Sequence, residues 1–394
     1  MDEFDTQLGS QLASTLGSFN RIYVGFSGGL DSCVLLHVLS QKPLLRRKIT
    51  AIHINHHISP YADNWAVFAQ KTAQFLQIPC EIFSVVLDKK SNLEESAREA
   101  RYAIFSSLLQ NSLDVLILAH HQNDQAETLL MHLFRGAGID GLAGIPEWRR
   151  LGKGQIYRPF LQLLRADLEH YAKERKLAWI EDESNRNLHF DRNFLRHQII
   201  PQLEKRWPGL IPNLCRSARH CSQAKQYIQT DIIQILEEIV DKEQRLSIRV
   251  LLSYSRDTQC FVLREWLGCQ GFKKPSQNKI ERILDELIVA KPDGQPFVGW
   301  REGQVRRYQG LLYAISVANE KKYDFGLQEK LAELKKQYPE AKFEIRYRQG
   351  GETMQWHGQT HLLKKLLQEW KVPPWERNCI PLIYKDNVLI EVFV

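Results

Sequence analysis

The sequence predicts an α/β protein that opens on a doubly wound parallel sheet and continues into a mostly helical domain and a small α/β domain. Three observations carry this expectation. Early in the chain, short runs rich in Val and Ile alternate with longer stretches of helical spacing. From about Arg165 the strand signals fade and helical patterns follow one another. Near Pro296 short strand-like runs return.

The strands come first. RIYVGF from Arg21, ITAIHIN from Ile49, CEIFSVVL from Cys80 and DVLILAH from Asp114 are short, β-branched and bounded by polar residues. Between them lie helices: in NLEESAREARYAIFSSLL, Leu93, Ala97, Ala100, Ile104 and Leu108 recur every three or four residues. Repeated strand–helix–strand units need a parallel sheet with helices on both faces, and ligands bind such sheets at the carboxyl ends of the strands. RADLEHYAKERK and RNFLRHQIIPQLEKRW follow as helices, and Pro212 to about Leu287 reads as mostly helical. FVGWREGQVRRYQGLLYAI predicts two short strands around a Glu-Gly turn. LQEKLAELKKQYPE is a charged helical linker, and THLLKKLLQEW is a helix whose stripe of Leu362, Leu363, Leu366, Leu367 and Trp370 belongs to a core. The expected domains are residues 1–210, 211–325 and 326–394.

Composition narrows the function class. Charged residues at 25% and hydrophobic residues at 43% fit a globular chain, and no apolar run is long enough to span a bilayer. The N-terminal MDEFDTQLGSQLAS carries early acids where a secretory signal has bases, and seven cysteines without paired spacing fit a reducing cytoplasm. A net charge of +7 suits a polyanionic partner, or serves solubility alone.

The most informative stretch is VGFSGGLDS, Val24 to Ser32. It has neither the G-x-G-x-x-G spacing of a dinucleotide fold nor the Gly-Lys-Ser/Thr of a Walker loop. Gly28 and Gly29 let the backbone approach a ligand, and Leu30, Asp31 and Ser32 open a helix whose free N–H groups attract anions. A carboxylate inside an anion cradle makes sense when a divalent cation joins it to phosphates, which implies ATP with Mg²⁺. The alternative is that Asp31 merely caps the helix.

SGGLDS, Ser27 to Ser32, resembles the PP-loop of the N-type ATP pyrophosphatases, which split ATP between its α- and β-phosphates and adenylate an oxygen. Within that Rossmann-like superfamily the chain is similar to the tRNA(Ile)-lysidine synthetases. The likeness runs through HINHHISPYADNW from His53, NLEESAREARY from Asn92, LAHHQNDQAETLLMHLFRGAGIDGLAGI from Leu118, WIEDESNRN from Trp179, DRNFLRHQIIPQLEKRWP from Asp191 and HLLKKLLQEWKVPPWERNCIPLIY from His361. The resemblance implies a ligase that joins free L-lysine to the wobble cytidine of an isoleucine tRNA with a CAU anticodon, through an adenylated cytosine. It implies that Ser27, Gly28, Gly29, Leu30, Asp31, Ser32 and His56 hold ATP, and that Arg98 holds a phosphate or developing charge.

Other residues keep two readings. Asp124 and Glu127 share a helix face, and Asp124 either shares the Mg²⁺ with Asp31 or positions the reacting base, where a bland role would be to complement a helix dipole. Asn123 stands where the family usually has an aspartate. Arg98 and Arg101 neighbour Glu94 and Glu95 and would by default form helix-surface ion pairs. Arg192 and Arg196 share a face; Arg196 is expected in the active site and Arg192 on RNA, unless both pair with Glu181, Asp182 and Glu183. Lys364, Lys365 and Arg377 form a basic rim suited to RNA, or a solvated face. GAGIDG, Gly136 to Gly141, matches a dinucleotide fingerprint by letter, but a helix precedes it, so it reads as a helix stop and a loop at the substrate entrance. The rivals are a tRNA thiolase, disfavoured by the lack of a Cys-x-x-Cys pair, and an inactive tRNA-binding protein.

Overall fold

The computed structural model describes residues 3–86, 93–290, 296–316 and 326–393. The chain divides into two compact units, Met1–Tyr227 and Ile228–Val394. The expected boundary at 325/326 abuts residues outside the described range.

The first unit is built on a six-stranded sheet of order β3-β2-β1-β4-β6-β5. Its strands are β1 Arg21–Gly25, β2 Ile49–Asn55, β3 Cys80–Ser84, β4 Asp114–Ile117, β5 Trp148–Leu151 and β6 Gly154–Tyr157. The first four sit where the Val/Ile runs placed them, and all pairs among β1, β2, β3, β4 and β6 are parallel. β6 and its antiparallel partner β5 were not legible. WRRL and GQIY are only four residues each, and β5 is polar and exposed because it is the sheet edge.

Helices cover both faces. α1 Glu3–Leu16, α2 Leu30–Ser40, α3 Ala62–Phe75, α4 Leu93–Leu108, α5 Gln122–Phe134 and α6 Arg165–Glu174 follow in chain order. Leu12, Leu16, Val34, Leu35, Leu168 and Tyr171 pack with Ile22 and Val24 on one face. Phe105, Leu109 and Tyr102 of the α4 region pack with Tyr23, Ile52, Leu116 and Ile156 on the other. The period of two along each strand sorts these sets. Strand order reverses between β1 and β4, so their carboxyl ends frame the crevice that an open α/β sheet offers a ligand.

The expected helix from Arg192 is interrupted. α7 Asp191–Phe194 passes through a π-helical turn, Leu195–Ile199, into α8 Ile200–Arg206. Pro201 has no N–H to give the carbonyl four residues back, so the ladder widens ahead of it. α9, Leu210–Ile239, contains the division between the units.

In the second unit β7 Leu246–Ser247, α10 Arg256–Cys269, α11 Gln277–Arg282, β8 Phe297–Trp300, β9 Gly303–Tyr308 and β10 Leu311–Ser316 share a core centred on Trp266, Leu263 and Ile283. The segment expected to give two strands gives three, because Gln309 and Gly310 both adopt positive φ (47° and 78°) and make a second tight turn. α12 Leu327–Gln337, β11 Phe343–Tyr347, β12 Thr353–Trp356, β13 Gln359–Leu362, α13 Leu363–Glu369, β14 Pro381–Lys385 and β15 Val388–Val392 complete the chain. Leu363, Leu366 and Leu367 are core as expected, but Leu362 ends β13 and is 48% exposed.

Candidate active site

Backbone order fixes the anion cradle first. Phe26 N–H donates to Ile52 O (2.9 Å), and buried His53 of β2 lies 2.9 Å from Phe26 O through Nδ1, so the chain leaves the sheet at a defined point. Gly28 then takes φ +84°, and a Cβ there would lie 2.7 Å from Ile180 Cδ1. Ile180 N–H donates to Gly28 O (2.9 Å), tying the turn to the segment after α6. Ser27 Oγ lies 3.2 Å from Ser32 Oγ, and Ser32 Oγ donates to Gly29 O (2.9 Å). The N-cap of α2 is Gly29 with no side-chain cap, so Asp31 is not the cap that its position allowed. The N–H groups of the first turn have no intrahelical acceptor and face the crevice with partial positive charge.

Asp31 is the cradle's unusual member. Its Oδ1 is buried with no hydrogen-bond partner, and its Oδ2 lies 3.6 Å from His121 Nε2. Mg²⁺ binds through one or two carboxylates plus substrate phosphates, and the orphaned oxygen beside a phosphate cradle fits that donor set. No cluster of three or more metal-ligating side chains occurs among the described residues, so the protein by itself offers a partial shell.

Across the crevice, β4 runs into His120 and His121. His121, 1% exposed, caps α5: Asp124 N–H donates to its Nδ1 (3.4 Å), and Asp124 Oδ2 accepts from His121 N–H (3.0 Å). Nδ1 is thereby the acceptor, and Nε2 lies between Asp31 Oδ2 (3.6 Å) and Asp124 Oδ2 (3.5 Å). No local signal marks this bridge, since histidine is not a preferred cap.

Asp124 and Glu127 form one ionic cluster with Arg192 and Arg196. Arg192 Nη2 donates to Asp124 Oδ1 (2.7 Å) and its Nε to Glu127 Oε2 (2.6 Å). Arg196 Nε donates to Glu127 Oε1 (2.6 Å), and its Nη2 to Glu127 Oε2 (3.0 Å) and Asp124 Oδ1 (3.3 Å). Burial alone would push the Asp124 carboxyl up, but His121, Arg192 and His120 together hold it down at about 2. The ion pairs of both arginines run to Asp124 and Glu127, not through the alternative of Glu181, Asp182 and Glu183. Leu195 and Ile200 pack on Ala126 and Leu130, so the helix docks on α5 and sets this register. Both Asp124 oxygens have hydrogen-bond partners, and a carboxyl held at about 2 is a weak base.

The other expected residues separate. His56, after β2, has both ring nitrogens buried without partners; burial, then Arg101 and His53, hold it down at about 4. His120 has an orphaned Nδ1 and is held at about 4, mainly by burial. Arg98 is exposed, with Cζ 5.1 Å from the Tyr102 ring centroid. Asn123 Oδ1 accepts the Arg165 N–H (3.1 Å) at the start of α6, a task any side-chain carbonyl oxygen performs. Lys364 and Lys365 are exposed on α13. Arg377 corrects the basic-rim expectation: it is 8% exposed, donating from Nε to Val372 O (2.9 Å) and from Nη2 to Tyr308 Oη (3.1 Å), so its charge is spent inside the unit. The Gly-Ala-Gly segment follows helix α5, with Gly136 at φ +67° and a single helical turn at Ile139–Leu142. His132 Nδ1 lies 2.7 Å from Gly141 O, and Gln125 bonds both the N–H and the O of Ile145 (2.6 and 3.1 Å), pinning the loop to α5.

Residues 2–203 match the model of the PP-loop domain, 246–313 the TilS substrate binding domain, and 343–393 the TilS substrate C-terminal domain. A tRNA(Ile)-lysidine synthase from Legionella pneumophila (strain Paris) is 42% identical, over 97% of this chain and 93% of its own. One from Coxiella burnetii is 38% identical, over 96% and 90%. The chain belongs to the tRNA(Ile)-lysidine synthase family. A solved U34-tRNA thiolase, NcsA from Methanococcus maripaludis, aligns with TM-score 0.46 at 18% identity, over 55% of this chain and 78% of its own. The first unit of this chain carries a PP-loop domain of an ATP-binding family, and the chain uses ATP.

Proposed function

We propose that this chain is the ligase that forms lysidine on isoleucine tRNA. The wobble cytosine's C2 oxygen attacks the α-phosphorus of ATP, an O–P bond forms, the α–β bridge breaks and pyrophosphate leaves. The ε-amine of free L-lysine then attacks carbon 2, the C–O bond breaks and AMP leaves with that oxygen. The observation that best supports the reading is Asp31, whose buried Oδ1 has no partner beside an uncapped helix N-terminus and the Gly28–Gly29 turn.

Ser27 to Ser32 would bind the leaving pyrophosphate through backbone N–H groups, with Asp31 holding Mg²⁺. The ion, when bound, neutralises phosphate charge. His121 keeps Asp31 and Asp124 aligned across the crevice. Arg192 and Arg196 are assigned to the cluster with Asp124 and Glu127, which shapes the wall of the site; His56, neutral and unpartnered, is left to contact the nucleotide. The Asp124 carboxyl, held at about 2, is a weak base, and the amine's proton is not assigned to it. A cytosine must leave its stack to reach such a site, which an anticodon loop permits. Lys364 and Lys365, with residues 211–325 and 326–394, are assigned to the tRNA outside the anticodon.

The test is incubation of the full chain with Mg-ATP, radiolabelled lysine and unmodified isoleucine tRNA bearing CAU. ATP-dependent label in that tRNA and none in methionine tRNA is the expected result. ATP cleavage to AMP and pyrophosphate without label would sink the lysine assignment and favour another acceptor. Asp31→Asn is expected to abolish labelling while tRNA binding persists; full activity there would refute the metal role.

A further inference from the structure

The antiparallel sheet of the second unit carries a contact that the reaction described so far does not use. Strand alternation sorts β8, β9 and β10 into two faces. Val298, Val305 and Leu312 point into the core around Trp266. The opposite face presents Phe297, Arg306 and Tyr313 in a row, as the strand register pairs them, with Tyr308 two places beyond Arg306. An antiparallel sheet commonly leaves such a face to water. Here Trp375 reaches it, from the segment Pro373–Arg377 that follows α13.

The Trp375 ring meets Tyr313 edge-on, with centroids 5.2 Å apart and 79° between planes, and Tyr308 likewise at 6.1 Å and 80°. Arg306 Cζ lies 5.3 Å from the centroid of Trp375 and 5.3 Å from that of Phe297, so two rings share one guanidinium. Among the described residues Arg306 has no carboxylate partner, and its Nε donates to Gln304 Oε1 (3.2 Å). Ring faces hold this charge, as a planar guanidinium allows. Arg377 ties the same segment to both sides: its Nε donates to Val372 O (2.9 Å), beside the core of α13 and β14, and its Nη2 to Tyr308 Oη (3.1 Å) on the sheet.

The two sides of this contact belong to different domains. Phe297, Arg306, Tyr308 and Tyr313 fall in the substrate binding domain, residues 246–313, and Trp375 and Arg377 in the C-terminal domain, residues 343–393. Each domain has its own hydrophobic core, one around Trp266 and the other around Leu363 and Leu366, and Trp375 is in neither. Its Nε1 is buried with no partner, whereas a buried indole usually finds an acceptor, so the ring is placed for its faces.

We propose that Trp375 and Arg377 are positioning residues that fix the C-terminal domain on the substrate binding domain, so that the two hold one tRNA at a set spacing. This rests on the reading above only in taking tRNA as the partner. Two binding modules on a loose connection lose much of the gain of acting together, because the second must find its site anew; a fixed spacing keeps that gain. Direct RNA contact suits these side chains less well. Arg377 is 8% exposed with Nε and Nη2 both engaged, and the Arg306 charge is turned onto rings.

The experiment pairs scanning calorimetry with binding of isoleucine tRNA, for the full chain unaltered and with Trp375→Ala, Trp375→Phe or Tyr308→Phe. In the unaltered protein the unit Ile228–Val394 is expected to melt in one transition. Trp375→Ala is expected to split that transition in two and to weaken tRNA binding by about 10- to 100-fold, with kcat at saturating tRNA and the KM for ATP in place. Trp375→Phe keeps a ring face and removes the unpaired N–H, so it is expected to restore most of both. Tyr308→Phe removes the hydroxyl that accepts from Arg377; it is expected to lose less in the same direction, and serves if Trp375→Ala fails to fold. Weaker binding with the transition unsplit would make Trp375 an RNA contact and overturn the proposal. A split transition with unchanged binding would mean that the tRNA does not depend on the spacing, and would overturn it too. Neither readout needs lysine ligation, so a chain that binds tRNA without ligating lysine would strike the reading above and leave this proposal to its own two results.

Discussion

Replacing Glu127 by Ala tests the ionic cluster most directly. Glu127 is 1% exposed and accepts from Arg192 Nε (2.6 Å), Arg196 Nε (2.6 Å) and Arg196 Nη2 (3.0 Å). Truncation leaves two guanidinium groups with Asp124 as their remaining shared carboxylate. Removing one partner of a buried ion pair costs about 3–5 kcal/mol, mostly because the other charges stay desolvated. The Arg192 and Arg196 side chains are 31% and 22% exposed, so water relieves part of this and the lower end of the range applies. For a unit the size of Met1–Tyr227 this lowers the melting temperature by roughly 6–12 °C, at about 2–4 °C per kcal/mol. Calorimetry on the full chain is the assay, because it resolves the transition of the first unit from any second one. Glu127→Gln is expected to lose less, and Glu127→Ala with Arg196→Ala to fall short of additivity by about 1–3 kcal/mol. A Glu127→Ala protein within about 1 kcal/mol of the parent would refute the view that these bonds hold α7 and α8 on α5.

Further outcomes follow from single contacts. Gly28→Ala puts a Cβ at φ +84° and 2.7 Å from Ile180 Cδ1; we expect about 1–2 kcal/mol of lost stability and weaker ATP binding by equilibrium dialysis, unchanged binding being the contrary result. Asn123→Asp keeps the acceptor for Arg165 N–H and adds charge at a helix start, so stability should hold or rise by up to about 1 kcal/mol in urea titration; a large loss would mean that Asn123 donates a bond as well. His120 is held near 4 by burial against an ordinary 6.5, so between those values the unfolded chain takes up a proton that the folded one refuses. Stability is therefore expected to rise from pH 4 to 6.5, by about 3 kcal/mol for His120 alone, and His120→Gln should flatten that rise. Asp124 acts below that window: its contribution is intact above 3.8 and is lost as pH falls toward about 2.

Local chemistry made the first four strands, the PP-loop and the helices around it legible. A β-branched run between polar ends has few alternatives, and two glycines before an Asp-Ser run mark a helix start, which the structure places at Leu30 with an uncapped N-terminus. Where a signal was weak, it was weak for a physical reason. β5 and β6 are short and partly polar, and acquire strand character by pairing with β4 and with each other. Leu362 looked like core because leucine stripes usually are, and a strand ending there turned it outward.

Side-chain partnership is what only the tertiary structure decided. Arg192 and Arg196 lie 65 or more positions from Glu127 and Asp124, while nearer acids were available in sequence; the docking of α7 and α8 on α5 chose between them. Arg377 followed a Pro-Pro-Trp turn that promised a surface, and Tyr308 and Val372 took its donors. The His121 bridge likewise joins the ends of β1 and β4, which the chain visits in separate passes. A sequence states which charges exist. Which of them neutralise each other, and which are left for a ligand, depends on distances of a few ångströms that exist only once the sheet has formed.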